Sequence, residues 1–279
     1  MFRMHRIVAQ SIVIALFAAS AVLAQPANEY KPSVGQSGKD VVWVPTPEEL
    51  VERMLTMAQV TPNDFVIDLG SGDGRTVIAA AKRGASALGI EYNPDMVTLS
   101  TRAAQREGVS ARAKFVKADI FESDFSKASV ITMYLLPGLN LKLRPKLLEM
   151  KPGTRLVSHQ FTMDDWQPDE TSYFDFRPGY LWIVPAKTQG KWRIDAPGFS
   201  GLDMNFEQTF QRVKGDIELA NSNIKVGLRE TRLWGDQISF TAVDTRGVPR
   251  EFTGRVAGDR MAGTVRTGNE TAPWSAVKK

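Results

Sequence analysis

The sequence has no cysteine and only two histidines among its 279 residues. The lack of cysteine excludes disulfides, thiolate metal sites and a lipoprotein anchor. His5 lies in the N-terminal segment, so removal of that segment would leave His159 as the single histidine. One histidine argues against histidine-based metal clusters and against Ser-His-Asp triads. We therefore expect no metal site.

The chain also lacks a concentration of charge of one sign. Its formal net charge is +4, with lysine and arginine scattered along the sequence. Nucleic acid binding is therefore not indicated. A hydrophobic content of 43% and a charged content of 24% are ordinary for a soluble globular protein. The length suits one large domain and one small one.

The N-terminus predicts export. A basic stretch, residues 1–6, precedes an apolar run from Ile7 to Leu23, and Ala24 follows it. We interpret residues 1–24 as a signal peptide cleaved after Ala24. The alternative is an uncleaved anchor formed by residues 7–23, which would be the only contact with a membrane. Both interpretations place the folded body outside the inner membrane, in the periplasm or cell envelope. Residues 25–40 are predicted to be a flexible leader.

A glycine-rich stretch, residues 65–74, organises the rest of the chain. An apolar run ends at Asp68, glycines follow at positions 70, 72 and 74, and a helical pattern begins at Arg75. Strand, glycine turn and helix form the first unit of a doubly wound α/β sheet. The spacing does not match the dinucleotide fingerprint or a Walker loop. A glycine turn without a ligand remains open as an alternative.

Three successive predicted strands end in a carboxylate, at Asp68, Glu91 and Asp119. Because parallel strands end at the same edge of a sheet, we expect these acids to lie together. A single acid at a strand end is often only a helix cap or a solvated turn residue. Three of them after such a loop favour a ligand.

The pattern Asp68-x-Gly70-x-Gly72-x-Gly74 resembles motif I of the class I S-adenosylmethionine-dependent methyltransferases. The resemblance implies that S-adenosylmethionine is the cofactor. It implies that Glu91 accepts hydrogen bonds from the ribose hydroxyls, Asp119 from the adenine amine, and Asp68 from the amino group of the methionyl tail. The cofactor-binding residues implied in this way are Asp68, Gly70, Ser71, Gly72, Gly74, Glu91 and Asp119.

The predicted fold is α/β, a doubly wound and mostly parallel seven-stranded sheet in residues 41–196. Further strands are predicted at residues 128–134 and 154–159, and residues 180–186 and 191–194 are predicted to form a closing antiparallel hairpin. From about residue 196 the residues alternate, and turns are predicted at the Gly-Asp pairs that begin at residues 215, 235 and 258. Residues 197–279 are therefore predicted to be a small antiparallel β domain, either a curved sheet or a half-barrel.

The acceptor side is predicted from two segments that flank the cofactor motif. The pocket residues are expected to be Trp43, Pro45, Leu135 and Pro137. Tyr134 is the candidate catalytic residue, which would gate or orient the nucleophile, and an aromatic core cap is the alternative. Enzymes that methylate planar nitrogens usually carry Asn/Asp-Pro-Pro-Tyr/Phe after the fourth strand, and this chain does not.

Residues 41–166 resemble one subgroup, the protein-lysine methyltransferases related to the mitochondrial ATP synthase c-subunit enzyme. The resemblance lies in Val44-Pro-Thr-Pro47, the motif I stretch to Arg75, Glu91-Tyr-Asn-Pro94 and Leu135-Leu-Pro137. It implies a protein substrate with a lysine as methyl acceptor. The alternative is an exported protein that binds the cofactor without turnover and contacts an envelope partner through its β domain.

Overall fold

The computed structural model describes residues 30–219 and 224–279. The predicted signal peptide, residues 1–24, and the first part of the predicted leader lie outside these ranges. Among the described residues, no helix has both the length and the apolar character needed to cross a membrane.

The first of two sheets has seven strands in the order β3-β2-β1-β4-β5-β7-β6. Strands β1 to β5 are parallel, and β7 and β6 close the sheet as an antiparallel hairpin. The strands are β1 Phe65–Leu69, β2 Ser86–Glu91, β3 Ala113–Lys117, β4 Val130–Met133, β5 Arg155–His159, β6 Glu170–Phe174 and β7 Arg177–Ile183. The helices are α1 Glu48–Met57, α2 Arg75–Lys82, α3 Pro94–Arg106 and α4 Pro137–Leu148. The chain order reverses between β1 and β4, where a cleft opens at the carboxyl edge. The predicted fold class is confirmed.

Local sequence explains where the helices that border this cleft begin. Gly74 precedes α2 with a φ of 82°, a left-handed conformation that favours glycine. Asn93 caps α3, its side chain accepting a hydrogen bond from the Asp95 amide, and Pro94 occupies the first helical position. Helix α1 begins after Pro47, and no side chain caps it.

The predicted hairpin of residues 180–186 and 191–194 is wrong. Strand β7 pairs with β6 through a turn at Asp175 and Phe176, while β8 (Gly190–Asp195) belongs to the second sheet. The change from one sheet to the other therefore falls between Ile183 and Gly190. The predicted flexible leader also differs in its described part, because residues 35–43 form a hairpin with a bridge between Ser37 and Val42.

The second sheet has nine antiparallel strands, in the order β11-β10-β9-β8-β16-β15-β14-β13-β12. After β8 these are β9 Leu202–Thr209, β10 Arg212–Glu218, β11 Lys225–Gly227, β12 Arg229–Trp234, β13 Gln237–Val243, β14 Pro249–Ala257, β15 Arg260–Thr267 and β16 Glu270–Lys278. The amide of Leu228 donates to the Gly215 carbonyl at 2.8 Å, which brings the two ends of the sheet together. The sheet is therefore nearly a barrel, and its interior is filled by aromatic and aliphatic side chains. The predicted antiparallel β domain is confirmed.

The two sheets pack against each other through specific contacts. The indole nitrogen of Trp166 donates to Gln211 Oε1 at 3.0 Å, and the Trp166 ring stacks on Phe210. The amide of Ala186 donates to the Gly235 carbonyl at 2.8 Å. None of these five residues lines the cavity between the strand ends, so the contacts leave the cleft accessible.

Candidate functional site

The glycine loop after β1 presents bare backbone to the cleft. Gly70, Gly72 and Gly74 have φ values of 82°, 53° and 82°, which favour glycine at all three positions. A Cβ atom on Gly72 would lie 2.7 Å from Nε1 of Trp43, so no larger residue fits there without displacing the indole. Ser71 Oγ is buried and has no hydrogen-bond partner among the described residues, which leaves it available to a ligand.

Two of the three predicted acids hold the backbone that surrounds the cleft. Glu91 accepts hydrogen bonds from the Gly72 amide through Oε2 and from the Asn93 amide through Oε1, both at 2.9 Å. Asp119 accepts from the Phe121 amide at 2.9 Å and forms an ion pair with Lys39 through its other oxygen. Each carboxylate oxygen has a second lone pair, so both acids keep acceptor capacity for a ligand.

The third acid, Asp68, is buried beneath the loop. Burial raises the pKa of its carboxyl from 3.8 to about 7, against the lowering effect of a 2.7 Å hydrogen bond from Thr132 Oγ1. The negative charges of Glu91 and Asp73 raise this pKa further. Asp68 is therefore a carboxyl group whose charge a bound cation would stabilise.

These groups line one cavity of about 570 Å³. Most of the residues predicted for the site are in its wall: Asp68, Gly70, Ser71, Gly72, Glu91, Asp119, Trp43, Pro45, Tyr134 and Leu135. Gly74 and Pro137 are not in the wall. Gly74 instead fits under Ser100 and Phe115, where a Cβ would clash, and Pro137 is the first residue of α4.

The end of the cavity opposite Asp119 has aromatic walls. The Tyr134 ring lies next to both His159 and Phe161, with ring-centroid distances of 3.8 and 6.2 Å. His159 is only 2% exposed and its Nδ1 lies 3.0 Å from Thr46 Oγ1. Burial, followed by the charge of Arg177, lowers the His159 pKa to about 4, so the ring is neutral at physiological pH. Burial also raises the pKa of Tyr134, which keeps its phenol protonated.

Sequence reasoning missed several residues of the cavity wall. Among them are Lys39, Thr46, Arg75, Tyr92, Asn93, Met96, Ile120 and Phe161. Tyr92 and Asn93 follow Glu91 directly, so the strand-end rule could have included them. Lys39 gave no such signal, because it reaches Asp119 across 80 positions of sequence.

The cavity fits an adenosyl ligand by its residue types as well as by its size. A volume of about 570 Å³ is within the usual range for small-molecule sites, roughly 300–1,000 Å³. One end has carboxylates for hydroxyl and amine donors, the loop has free backbone and an unpaired serine hydroxyl, and the other end is apolar. Each part of the predicted cofactor thus meets chemistry that suits it.

Comparisons with known proteins agree with this geometry. A family profile described as the ANTKMT methyltransferase domain matches residues 68–170, and a profile described as DNA methylase matches residues 27–102. A protein-lysine N-methyltransferase of Saccharolobus islandicus is 47% identical over 133 residues, which are 47% of this chain and 83% of the relative. The lysine N-methyltransferase of Rattus norvegicus that modifies the ATP synthase c-subunit is 37% identical over 151 residues, which are 53% of this chain and 69% of the relative.

A third relative matches over a longer stretch of the chain. The adenine nucleotide translocase lysine N-methyltransferase of Mus musculus is 34% identical over 187 residues, covering 66% of this chain and 74% of the relative. Among solved structures, an RNA methyltransferase from Salinibacter ruber in complex with S-adenosyl-L-homocysteine is 46% identical with a TM-score of 0.51. That match covers 52% of this chain and 95% of the other.

Proposed function

Because this chain belongs to the family of S-adenosylmethionine-dependent protein-lysine N-methyltransferases, we propose that it methylates a lysine side chain in a protein of the cell envelope. The chain is a methyltransferase and S-adenosylmethionine is its cofactor. The acceptor protein and the compartment are the finer part of the proposal. The observation that carries it is the continuity of one cavity from the acidic strand ends to an aromatic, mostly apolar end.

The acidic end would hold the cofactor. S-adenosylmethionine supplies a methyl group that its sulfonium makes electrophilic. Glu91 and Asp119 would take the hydroxyl and amine donors of the adenosine, and Asp68 the ammonium of the methionyl tail. The catalytic work left to the protein is positioning and removal of water from the nucleophile.

The aromatic end of the cavity would lower the free-energy cost of removing the proton from the acceptor lysine. An amine attacks the methyl group only without its proton, and burial against Pro45, Tyr134 and Leu135 disfavours the charged ammonium. The positive charge of Arg177 lowers the pKa of both Tyr134 and His159. It would disfavour the charged lysine ammonium in the same way. A dedicated general base is therefore not needed for activation.

The β6–β7 turn would contact the acceptor protein. Gly179 of β7 pairs with His159 at the end of β5, so the turn at Asp175 and Phe176 projects beyond the carboxyl edge that carries the cavity. Phe176 is 96% exposed and has a φ of 60°, which is costly for a bulky residue. Tyr173, on the same hairpin, is 62% exposed. Aromatic residues are enriched among those that contribute most to binding a protein partner, so these two side chains would anchor the acceptor.

The compartment is proposed from the N-terminal sequence. A basic start followed by the apolar run Ile7–Leu23 supports export, with cleavage after Ala24 or retention as an anchor. The acceptor would then be a protein of the periplasm or the envelope. Mass spectrometry of the N-terminus of the protein isolated from envelope and cytoplasmic fractions tests both points.

The test of the activity is transfer of radiolabelled methyl groups into an envelope protein extract. We expect label in protein, recovered as methyl-lysine after acid hydrolysis. Glu91→Ala should abolish transfer by removing the cofactor contacts, whereas Glu207→Ala, an exposed glutamate of β9, should not. Binding of S-adenosylhomocysteine without any transfer would instead support the non-catalytic alternative, and label confined to nucleic acid would refute the lysine acceptor.

A further inference from the structure

A short hairpin from the N-terminal segment lies over the cofactor cavity. The N-terminal hairpin, residues 35–43, is held together by hydrogen bonds from the Gly35 amide to the Trp43 carbonyl at 2.8 Å and from the Trp43 amide to the Gln36 carbonyl at 2.9 Å. The Gly38 amide donates to the Val41 carbonyl at 2.9 Å and closes the turn. Every residue from Gln36 to Trp43 contributes to the cavity wall.

The hairpin touches both ends of the adenosyl half of the site. At its tip, the Lys39 ammonium pairs with Asp119 and lies 4.7 Å from the centroid of the Tyr92 ring. At its base, the Trp43 indole covers Gly72 of the glycine loop. The segment thus spans from the acid proposed for the adenine amine to the loop proposed for the methionyl tail.

The hairpin is attached to the rest of the protein mainly through these side chains. Within residues 30–219 and 224–279, no backbone hydrogen bond joins it to either sheet. Most of its residues are exposed, and the ion pair of Lys39 with Asp119 is itself partly open to solvent. A segment held by a few side-chain contacts can open without disturbing the sheet.

We propose that the N-terminal hairpin is a strap that closes over the bound cofactor and slows its release, with the pair of Lys39 and Asp119 as its latch. The inference rests on the cofactor and is independent of which protein accepts the methyl group. One Asp119 oxygen accepts from Phe121 and the other from Lys39, and both keep a free lone pair. The ammonium and the adenine amine can therefore share this carboxylate instead of competing for it.

The strap has a clear use if the enzyme works outside the cytoplasm. The cofactor is made in the cytoplasm, so an exported enzyme benefits from slow release of what it has bound. In the sequence, the predicted export signal, residues 1–24, precedes the strap.

The test compares cofactor release from the full-length wild-type chain and from Lys39→Ala. Stopped-flow displacement of S-adenosylhomocysteine measures the release rate, and calorimetry measures its Kd. We expect Lys39→Ala to speed release and raise the Kd about two- to fivefold, the range of an exposed ion pair. Lys31→Ala removes the same charge from an exposed position before the hairpin and should leave both values unchanged. Raising the salt concentration should shrink the difference between wild type and Lys39→Ala.

A second measurement reports closure without substitution. Trypsin cleaves after Lys39, so S-adenosylhomocysteine should slow cleavage at this site in the wild-type chain. Equal release rates for wild type and Lys39→Ala, together with trypsin cleavage that S-adenosylhomocysteine does not slow, would overturn the strap but not the cofactor assignment. Tighter binding by Lys39→Ala would also overturn it, because the lysine would then be competing with the adenine. A wild-type chain that binds no S-adenosylhomocysteine would overturn the cofactor assignment itself.

Discussion

Replacing Asp68 with asparagine should weaken cofactor binding and at the same time stabilise the protein without cofactor. Asp68 is buried below the glycine loop, and burial raises its pKa from 3.8 to about 7. Asparagine has nearly the same shape, and its carbonyl oxygen can still accept the hydrogen bond from Thr132. The substitution therefore removes a charge without opening a cavity.

The effects of Asp68→Asn on protein stability and on cofactor affinity have opposite signs. A carboxyl whose folded pKa exceeds its unfolded value contributes stability below pH 3.8 and loses it as the pH rises through 7. A shift of about three units corresponds to at most about 4 kcal/mol, so Asp68→Asn should raise the Tm at pH 8. A cofactor ammonium selects the ionised carboxylate, and losing that charge-assisted bond should raise the Kd roughly 10- to 100-fold.

Calorimetric titration with S-adenosylhomocysteine between about pH 5.5 and 7.5 tests this assignment, because an α-amino group keeps its proton below roughly pH 7.7. In wild type, the Kd should rise by up to about tenfold for each unit below pH 7, since binding must expel a proton from Asp68. In Asp68→Asn the Kd should be nearly constant over the same range. A wild-type Kd that does not change with pH would refute the contact between Asp68 and the ammonium.

Other predictions address the acceptor side and the second sheet. Phe176→Ser should raise the KM for a protein acceptor about five- to thirtyfold and leave the Kd for S-adenosylhomocysteine unchanged. Trp234→Ser, at another exposed aromatic residue, should change neither the KM nor the Kd, and an equal rise in KM for both variants would contradict an acceptor contact. The folded pKa of His159, about 4, lies below its ordinary 6.5, so wild-type stability should fall as the pH falls through this window. The free energy of unfolding, measured with urea at several pH values, should depend less on pH in His159→Asn than in wild type. An equal pH dependence in the two proteins would count against His159 as its origin. Arg250→Leu removes the two nitrogens that donate to Asp244 Oδ2, while Arg246 and two backbone amides still donate to this carboxylate, so the change should lower the free energy of unfolding by about 1.5–3 kcal/mol. Adding Asp244→Leu should recover part of that loss.

The cofactor half of the site was predictable because it is local in sequence. The glycines need positive φ, and the acids follow strands whose parallel order gathers their ends at one edge. Asp68, Glu91 and Asp119 therefore came together as expected. The contribution of Lys39 could not be predicted, because its place depends on a turn at Gly38 and on a contact with Asp119 far along the chain.

The errors in the strand assignments also have physical reasons. The real partner of β7 is joined to it by a turn with positive φ at Asp175 and Phe176, where the usual Asn-Gly or Asp-Gly signal is missing. The pair Gly215-Asp216 suggested a turn but lies inside β10. Gly215 is there because a Cβ would meet the Asn205 carbonyl and the Phe206 ring of the neighbouring strand.

The acceptor half of the cavity is built differently, and this explains why motifs reveal the reaction sooner than the substrate. Thr46, Tyr134, His159 and Phe161 come from three separate segments, which the folded sheet brings into contact. Arg177 joins them because β7 is antiparallel to β5, a pairing that the sequence did not predict. No spacing rule connects these positions. We therefore expect the choice of acceptor to depend on this edge of the sheet and on the exposed β6–β7 turn, where substitutions should change which protein is methylated without changing how the cofactor is held.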